Sequence, residues 1–268
     1  MKILQLIFII FLLNPFIMQS KISKNTYCLF SHGVGGNYKQ AYKYRDVIPY
    51  PLKTFDYPDA FHFPKLLPRT LKNIPRCTQT SLAQENELNY FIEQFDKLEQ
   101  ELQEEHGNDY NIVLYGLSRG ASVLILFMAL YPEKLSHVSA VIMESPFCSV
   151  GKVISNFRHR FYLKRFISQS MGHRILESIF MKYNRNYPSP ATFTHNINNH
   201  NINIPILIIA SQKDKIVPFE SSKKLYDILA TKDVHFLELE DGEHACLLQS
   251  SQKKHMTKYI QHFLNSYL

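Results

Sequence analysis

The 268-residue sequence has no tryptophan, only nine glycines and only four cysteines. Four cysteines are too few for a disulfide scaffold, so a chain of this length depends on a hydrophobic core. After the first twenty residues, no apolar run reaches the roughly 18 residues that a membrane-spanning helix needs. Repeats and obvious linkers are also absent, and a hydrophobic share of 45% is sufficient for one large domain.

The first twenty residues have the pattern of a secretory signal peptide. Lys2 precedes an apolar run at residues 3–13, and the small residue Ser20 ends the stretch. A short basic start, an apolar stretch of about 7–15 residues and a small-residue end are typical of such peptides. We therefore expect export, with cleavage near Ser20 and a mature domain of residues 21–268. An uncleaved anchor is the alternative, because Met18 stands where a smaller residue is usual.

Strands and helices are predicted to alternate along the mature chain. The predicted strands are residues 26–31, 52–57, 111–115, 138–143, 205–210 and 234–239, and the predicted helices are residues 81–105, 121–130, 220–230 and 252–264. This alternation implies an α/β fold with a mostly parallel central sheet and helices on both faces. Ligands of such sheets bind beyond the carboxyl ends of the strands.

The pentapeptide Gly116-Leu117-Ser118-Arg119-Gly120 carries the clearest chemical signal. It has the pattern G-x-S-x-G and lies between a predicted buried strand and a predicted helix. In that context the turn is too tight for side chains at Gly116 and Gly120, and it raises the hydroxyl of Ser118 above the sheet. Because glycine is rare in this chain, we interpret the pattern as a nucleophile elbow rather than as a serine that caps a helix.

A serine nucleophile needs a base that takes its proton and a third group that orients the base. Asp214 follows the predicted strand at residues 205–210, and His244 follows the last predicted strand. Both residues lie at carboxyl ends of strands, in the order serine, acid, histidine that accompanies this elbow. Glu144, which directly follows another predicted strand, is the alternative acid.

These motifs resemble those of the α/β-hydrolase superfamily from about residue 26 to the C-terminus, in particular its serine hydrolases that have little or no cap. The glycine-rich turn at residues 32–36, His-Gly-Val-Gly-Gly, resembles the oxyanion turn of that superfamily. The resemblance implies that the backbone N–H groups of Val34 and Arg119 bind the oxyanion. The residues that would support the two turns are His32, Gly33, Gly116 and Gly120.

We expect neither a cofactor nor a metal ion. A dinucleotide-binding motif that began at Gly33 would require glycine at position 38, where the chain has Tyr38. His195 and His200 lack Cys or carboxylate partners at metal-ligand spacing, and we interpret their asparagine-rich segment as a polar loop. Three disulfide pairings, or free buried thiols, are open to the four cysteines, which are Cys28, Cys77, Cys148 and Cys246.

The formal net charge of +7 is concentrated in residues 151–187, which contain eight Lys or Arg and one acid. We call this stretch the basic segment. It belongs to an insertion at about residues 151–203, where α/β-hydrolases place lids, and its interleaved aromatic and basic residues are typical of a basic amphipathic helix. It either meets an anionic membrane surface or acidic substrate, or is a lid whose charges are solvated. Nucleic acid is not an expected partner, because no recognised nucleic-acid-binding module accompanies the charge.

The sequence therefore predicts a serine hydrolase that cleaves an ester, a thioester or a small amide through an acyl-enzyme. The expected substrate is a small-molecule or lipid-like acyl compound. Two alternatives stay open, namely a non-catalytic binding protein with the hydrolase fold and an acyltransferase on the same fold.

Overall fold

A computed structural model describes residues 25–58, 80–160, 167–180, 182–200, 202–229 and 233–268. The predicted signal peptide, the domain start at residue 21 and Cys77 lie outside the described residues. So do residues 161–166 of the basic segment and the side chain of Arg160. Among the described helices, none is both long and apolar enough to cross a membrane.

The described residues form six strands, and all of them pair in one parallel sheet. These strands are β1 (Thr26–Ser31), β2 (Leu52–Thr54), β3 (Asn111–Leu117), β4 (Val138–Glu144), β5 (Ile206–Ser211) and β6 (Val234–Leu239). Their order across the sheet is β2-β1-β3-β4-β5-β6, and each neighbouring pair is parallel. The predicted α/β fold with a parallel central sheet is confirmed.

Seven α-helices are formed by the part of the chain that the structure describes. They are α1 (Glu85–His106), α2 (Arg119–Leu130), α3 (Val150–Arg160), α4 (Gln169–Ile179), α5 (Pro190–Asn199), α6 (Phe219–Ile228) and α7 (Lys253–Tyr267). Short 3-10 helices lie at Tyr38–Tyr44, Pro132–Leu135 and Leu247–Gln249. The insertion between β4 and β5 contains α3, α4 and α5, so the predicted helical insertion is also observed.

Apolar clusters cover both faces of the sheet. Along β3, Ile112 and Leu114 belong to a cluster with residues of α1 and α2, whereas Val113 and Tyr115 belong to a cluster with α7. The alternation arises because successive side chains of a strand point to opposite faces. β3 is thus buried on both faces, and Ser118 lies directly after its last residue.

Several elements differ from the sequence prediction in their bounds, and one segment differs in its type of structure. Helix α1 begins four residues late, because the Glu87 carboxylate accepts the backbone N–H groups of Ser81 and Leu82 and holds the preceding turn out of the helix. The polar loop predicted around His195 was wrong. Helix α5 occupies that position, and its Ile197 is buried in the core.

Candidate active site

Ser118 lies at the sharp turn between β3 and α2. Its φ of 55° and ψ of −109° lie in a region that residues other than glycine rarely adopt. A Cβ added to Gly116 would lie 2.5 Å from the Cα of Ala121, and one added to Gly120 would collide with the carbonyl oxygen of Ser31. Backbone atoms therefore exclude side chains on both flanks of Ser118, as the elbow pattern predicts.

His244 lies between Ser118 and Asp214. Its Nε2 is 2.8 Å from the Oγ of Ser118, and its Nδ1 is 2.7 Å from the Oδ2 of Asp214. The other carboxylate oxygen of Asp214 accepts the backbone N–H groups of Ile216 and Val217, each at 2.9 Å. The loop after β5 thus fixes the carboxylate, which in turn fixes the orientation of the imidazole.

Glu144, the alternative acid, has other partners. Its Oε2 accepts the hydroxyl groups of Tyr44 at 2.7 Å and Tyr115 at 2.6 Å. Burial raises the pKa of the Glu144 carboxyl above its ordinary value, although the two tyrosine hydrogen bonds act in the opposite direction. The structure therefore places Asp214 rather than Glu144 on the imidazole of His244.

The oxyanion turn, residues 32–36, lies against the elbow. A Cβ added to Gly33 would be 3.3 Å from the Cβ of Ser118, so the peptide between Gly33 and Val34 runs beside the serine. Arg119 is the first residue of α2, where helix geometry leaves the backbone N–H without an intrahelical acceptor. The structure thus brings both predicted oxyanion donors next to Ser118.

His32 is fully buried in this turn. Its Nδ1 is 2.8 Å from the carbonyl oxygen of Gly33, and its Nε2 is 3.3 Å from the backbone nitrogen of Tyr57. A neutral ring with its proton on Nδ1 satisfies both groups, because Nδ1 then donates and Nε2 accepts. Burial and the nearby charge of Arg119 lower the pKa of His32 to about 4, which favours this neutral form.

The side chain of Arg119 is a feature that the sequence analysis missed. It is 1% exposed, and its Cζ lies 4.2 Å from the centroid of the Tyr57 ring. One guanidinium nitrogen lies 3.7 Å from Glu87 Oε1, and another donates to the carbonyl oxygen of Gly33 at 3.4 Å. The only sequence signal for the ion pair of Arg119 with Glu87 is the position of Glu87. It precedes Phe91 by four residues and therefore lies on the apolar face of α1.

An apolar cluster packs against Val34 of the oxyanion turn. Its buried members are Leu82, Phe180 and Tyr183, and the partly buried side chains against it are Val34, Val150, Leu176 and Ile179. We call this cluster the apolar wall. Several of its members belong to the insertion, so the insertion contributes to the cluster against which Val34 packs.

The described residues contain no group of three His, Cys, Asp or Glu residues that could hold a metal ion. That neither a metal nor a cofactor is needed stays a prediction. Cys28, Cys148 and Cys246 carry free thiols in the described part of the chain, and burial raises the pKa of the Cys28 thiol.

The parallel sheet of the described residues, with its serine elbow after β3, defines an α/β-hydrolase. The model of the prolyl oligopeptidase family matches residues 81–268, and the chain belongs to that family. An uncharacterised protein of Acanthamoeba polyphaga mimivirus, R595, is 29% identical to it over 128 residues. That match covers 47% of this chain and only 39% of the mimivirus protein.

Solved structures of hydrolases share the fold at low sequence identity. The esterase Pf2001 of Pyrococcus furiosus has a TM-score of 0.59 at 14% identity, over 91% of this chain and 83% of its own. Paleococcus ferrophilus monoacylglycerol lipase has a TM-score of 0.54 at 16% identity, over 90% of this chain and 95% of the lipase. Pyrococcus horikoshii acylaminoacyl peptidase has a TM-score of 0.56 at 14% identity, over 92% of this chain and 38% of the peptidase. Together with the family match, these neighbours support a hydrolytic function.

Proposed function

We propose that the protein is a serine hydrolase that cleaves an ester, a thioester or a small amide through an acyl-enzyme. The observation that carries the proposal is the hydrogen-bonded chain from Ser118 through His244 to Asp214, with distances of 2.8 and 2.7 Å. Membership of the prolyl oligopeptidase family supports it. The short distance between Ser118 and His244 favours catalysis over a protein that only binds.

The first half of the reaction forms the acyl-enzyme. The Oγ of Ser118 attacks the acyl carbonyl carbon while its proton moves to Nε2 of His244, and Asp214 stabilises the resulting imidazolium. The backbone N–H groups of Val34 and Arg119 bind the oxygen that becomes negative, and each such donor contributes about 3–4 kcal/mol. The imidazolium then protonates the leaving group, and the bond between the carbonyl carbon and that group breaks.

The second half releases the acyl group. His244 takes a proton from a water molecule, whose oxygen attacks the acyl carbonyl carbon, and the same two N–H groups bind the second oxyanion. His244 then returns the proton to the Oγ of Ser118, and the acid product leaves. An acyltransferase would share the first half, so product analysis with an added alcohol acceptor distinguishes transfer from hydrolysis.

The apolar wall supports an apolar group on the substrate. It adjoins Val34, which would hold the carbonyl oxygen, so the acyl or leaving group beside that oxygen meets apolar side chains. Burial of apolar surface contributes about 25 cal/mol per Å², so a longer acyl chain gains affinity as long as it contacts the apolar wall.

A panel of p-nitrophenyl esters should show kcat/KM rising with acyl length from acetate, and Leu82→Ala should reduce this dependence on acyl length. A flat profile would contradict an apolar substrate.

Covalent labelling tests the nucleophile. A fluorophosphonate probe should modify Ser118 of the folded protein, and Ser118→Ala should abolish both labelling and esterase activity. Ser139→Ala is the matched control and should leave labelling unchanged. Ser139 lies at the start of β4, whereas Ser118 follows the end of the parallel strand β3. Failure of the folded wild-type protein to react would refute the proposal.

Two conservative variants test the choice of acid. Asp214→Asn should lower kcat by about 10⁴-fold, because the amide favours the wrong tautomer of His244. Glu144→Gln should keep most of the activity, because glutamine resembles the neutral acid and its carbonyl oxygen still accepts from Tyr44 and Tyr115. Activity retained in Asp214→Asn and lost in Glu144→Gln would identify Glu144 as the acid.

A further inference from the structure

Three donors converge on the carbonyl oxygen of Gly33. The Nδ1 of His32 is 2.8 Å away, the backbone nitrogen of Gly36 is 3.2 Å away and a guanidinium nitrogen of Arg119 is 3.4 Å away. This carbonyl and the N–H of Val34 belong to one peptide group, in which the two bonds point in opposite directions because the peptide is planar and trans. Donors that hold the Gly33 oxygen therefore also set the direction of the Val34 N–H.

The guanidinium of Arg119 is itself held in place. Tyr57 stacks on it, and the Glu87 carboxylate lies on it at 3.7 Å, with both charged side chains almost fully buried. A charge acts more strongly in such a region of low dielectric than in water, so Arg119 also polarises the Gly33 carbonyl. Polarisation of a peptide group makes its N–H a stronger donor, and here that N–H belongs to Val34.

Glu87 connects this guanidinium to the apolar wall. The carboxylate accepts the N–H of Ser81 at 2.7 Å and the N–H of Leu82 at 3.1 Å, and also the Ser81 hydroxyl. Leu82 has a φ of 60°, in the left-handed region, and its side chain belongs to the wall that packs against Val34. One ion pair thus supports the oxyanion turn on one side and the wall on the other.

Stability alone is a weak explanation for this pair. A buried ion pair often contributes little net free energy of folding, because removing both charges from water is costly. Within the described part of the chain, the Nε of Arg119 is also buried without a hydrogen-bond partner. A buried donor without a partner lowers the free energy of unfolding, which favours a functional reason for this arrangement.

We propose that Arg119 is a positioning residue for the oxyanion hole and that Glu87 holds it in place. The backbone N–H of Arg119 would be one oxyanion donor, and its side chain aims the other, the N–H of Val34, through the carbonyl of Gly33. This inference rests on the proposed hydrolase function and deepens it. It predicts that the side chain acts on the transition state and not on substrate binding.

The test compares Arg119→Met with Arg119→Lys. Loss of a whole oxyanion donor lowers kcat by about 10²–10³-fold, so misdirection of one should lower it by about 10–100-fold. KM should stay within about twofold, and the affinity for a boronic acid that forms a tetrahedral adduct on Ser118 should fall by the same factor as kcat. Arg119→Lys should restore part of both losses, because the ammonium can still donate to Gly33.

Arg45→Met is the matched control, since Arg45 stacks on Tyr42 at the same 4.2 Å but is exposed at the surface. It should leave kcat and boronate affinity unchanged. A folded Arg119→Met protein with wild-type kcat, or with a change in KM alone, would overturn the positioning role. Normal fluorophosphonate labelling of Ser118 in that variant would show that the proposed function itself still stands.

Glu87→Gln decides the question if Arg119→Met does not fold. Glutamine keeps an oxygen that can accept from Ser81 and Leu82 but removes the charge that holds Arg119. We expect a fall in kcat at unchanged KM, smaller than the fall in Arg119→Met. A folded Glu87→Gln protein with unchanged kcat and boronate affinity would overturn the proposal.

Discussion

At the residue scale, the candidate site combines a few charged groups with neighbours that are buried in neutral form. His32 is kept neutral by burial, and burial favours the neutral acid at Glu144. The carboxylate of Asp214 contacts two backbone N–H groups and the imidazole of His244. Burial of neutral titratable groups makes the free energy of unfolding depend on pH.

His32 should make the protein less stable as the solution becomes acidic. Its pKa is about 4 in the folded state and about 6.5 when unfolded, so between these values the unfolded chain binds a proton that the folded chain does not. The resulting stability is fully present above about pH 6.5 and is lost as the pH falls to about 4, by up to about 3 kcal/mol.

Urea unfolding at several pH values between about 4 and 7 measures this dependence. His32→Gln should show a shallower decline than the wild-type protein, because glutamine does not titrate. The exposed His255 supplies the control, and His255→Gln should keep the wild-type slope. Identical slopes in His32→Gln and the wild-type protein would exclude His32 as the cause.

At the element scale, close packing of β1, β3 and α2 determines where the serine lies. The flanking glycines allow α2 to start directly at the end of β3, with the backbone of Ser31 in β1 against Gly120. A similar dependence on tertiary contact appears in α1, whose start is delayed by the carboxylate of Glu87. The connections between elements, more than the elements themselves, thus form the site.

Gly120→Ala should therefore damage both stability and activity. The added methyl group collides with the carbonyl oxygen of Ser31, and overpacking of this kind costs about 1–3 kcal/mol. Gly151→Ala in α3 is the control, because its nearest contact is the end of the Gln169 side chain and alanine gains at most about 1 kcal/mol in a helix. Urea unfolding and esterase rates should separate the two variants. Equal stability and activity in both would contradict the close approach at Gly120.

At the scale of the whole molecule, the charge is distributed unevenly. The basic segment carries as much net charge as the entire chain, and the remainder is balanced. In its described part, Phe157 and Met171 are about half exposed on α3 and α4, at 46% and 48%. Exposed apolar side chains among basic ones are typical of segments that contact anionic membranes, and we propose that this segment does so.

If the basic segment contacts anionic membranes, a protein of residues 21–268 should bind anionic vesicles but not neutral ones. Each Lys or Arg near an anionic membrane contributes roughly 1 kcal/mol, and salt weakens this attraction as the Debye length falls from about 10 Å at 0.1 M to about 3 Å at 1 M. Replacement of four basic residues by glutamine should abolish binding but keep activity on small soluble esters. The four residues are Arg158, Arg160, Lys164 and Arg165.

A matched variant changes four exposed lysines elsewhere to glutamine, namely Lys39, Lys43, Lys53 and Lys97. It removes the same charge and should still bind anionic vesicles in sedimentation assays. Equal binding of the wild-type protein to anionic and neutral vesicles would favour the solvated lid instead.

Local patterns were sufficient to predict the fold class and the sharp turn at Ser118. Runs rich in β-branched and aromatic residues predicted β1 and β6 with their observed bounds. The elbow at Ser118 could be predicted because its two glycines are required by contacts within and beside a single turn. The end of β2 was less accurate, since Phe55 and Tyr57 are apolar and buried but lie beyond the sheet pairing.

Only the tertiary structure could decide which distant groups meet. Glu144 ends β4 and Asp214 lies in the loop after the neighbouring strand β5. That loop brings Asp214 onto His244, whereas the Glu144 carboxylate accepts the hydroxyl groups of two tyrosines. The pairing of Glu87 with Arg119 depends on how α1 packs beside α2, which no local pattern encodes. Sequence by itself determined the strands of the sheet and the elbow at Ser118, because both follow from contacts between near neighbours. The contacts of Ser118 with His244 and of His244 with Asp214 follow from packing across the sheet, which brings together residues that are far apart in the chain.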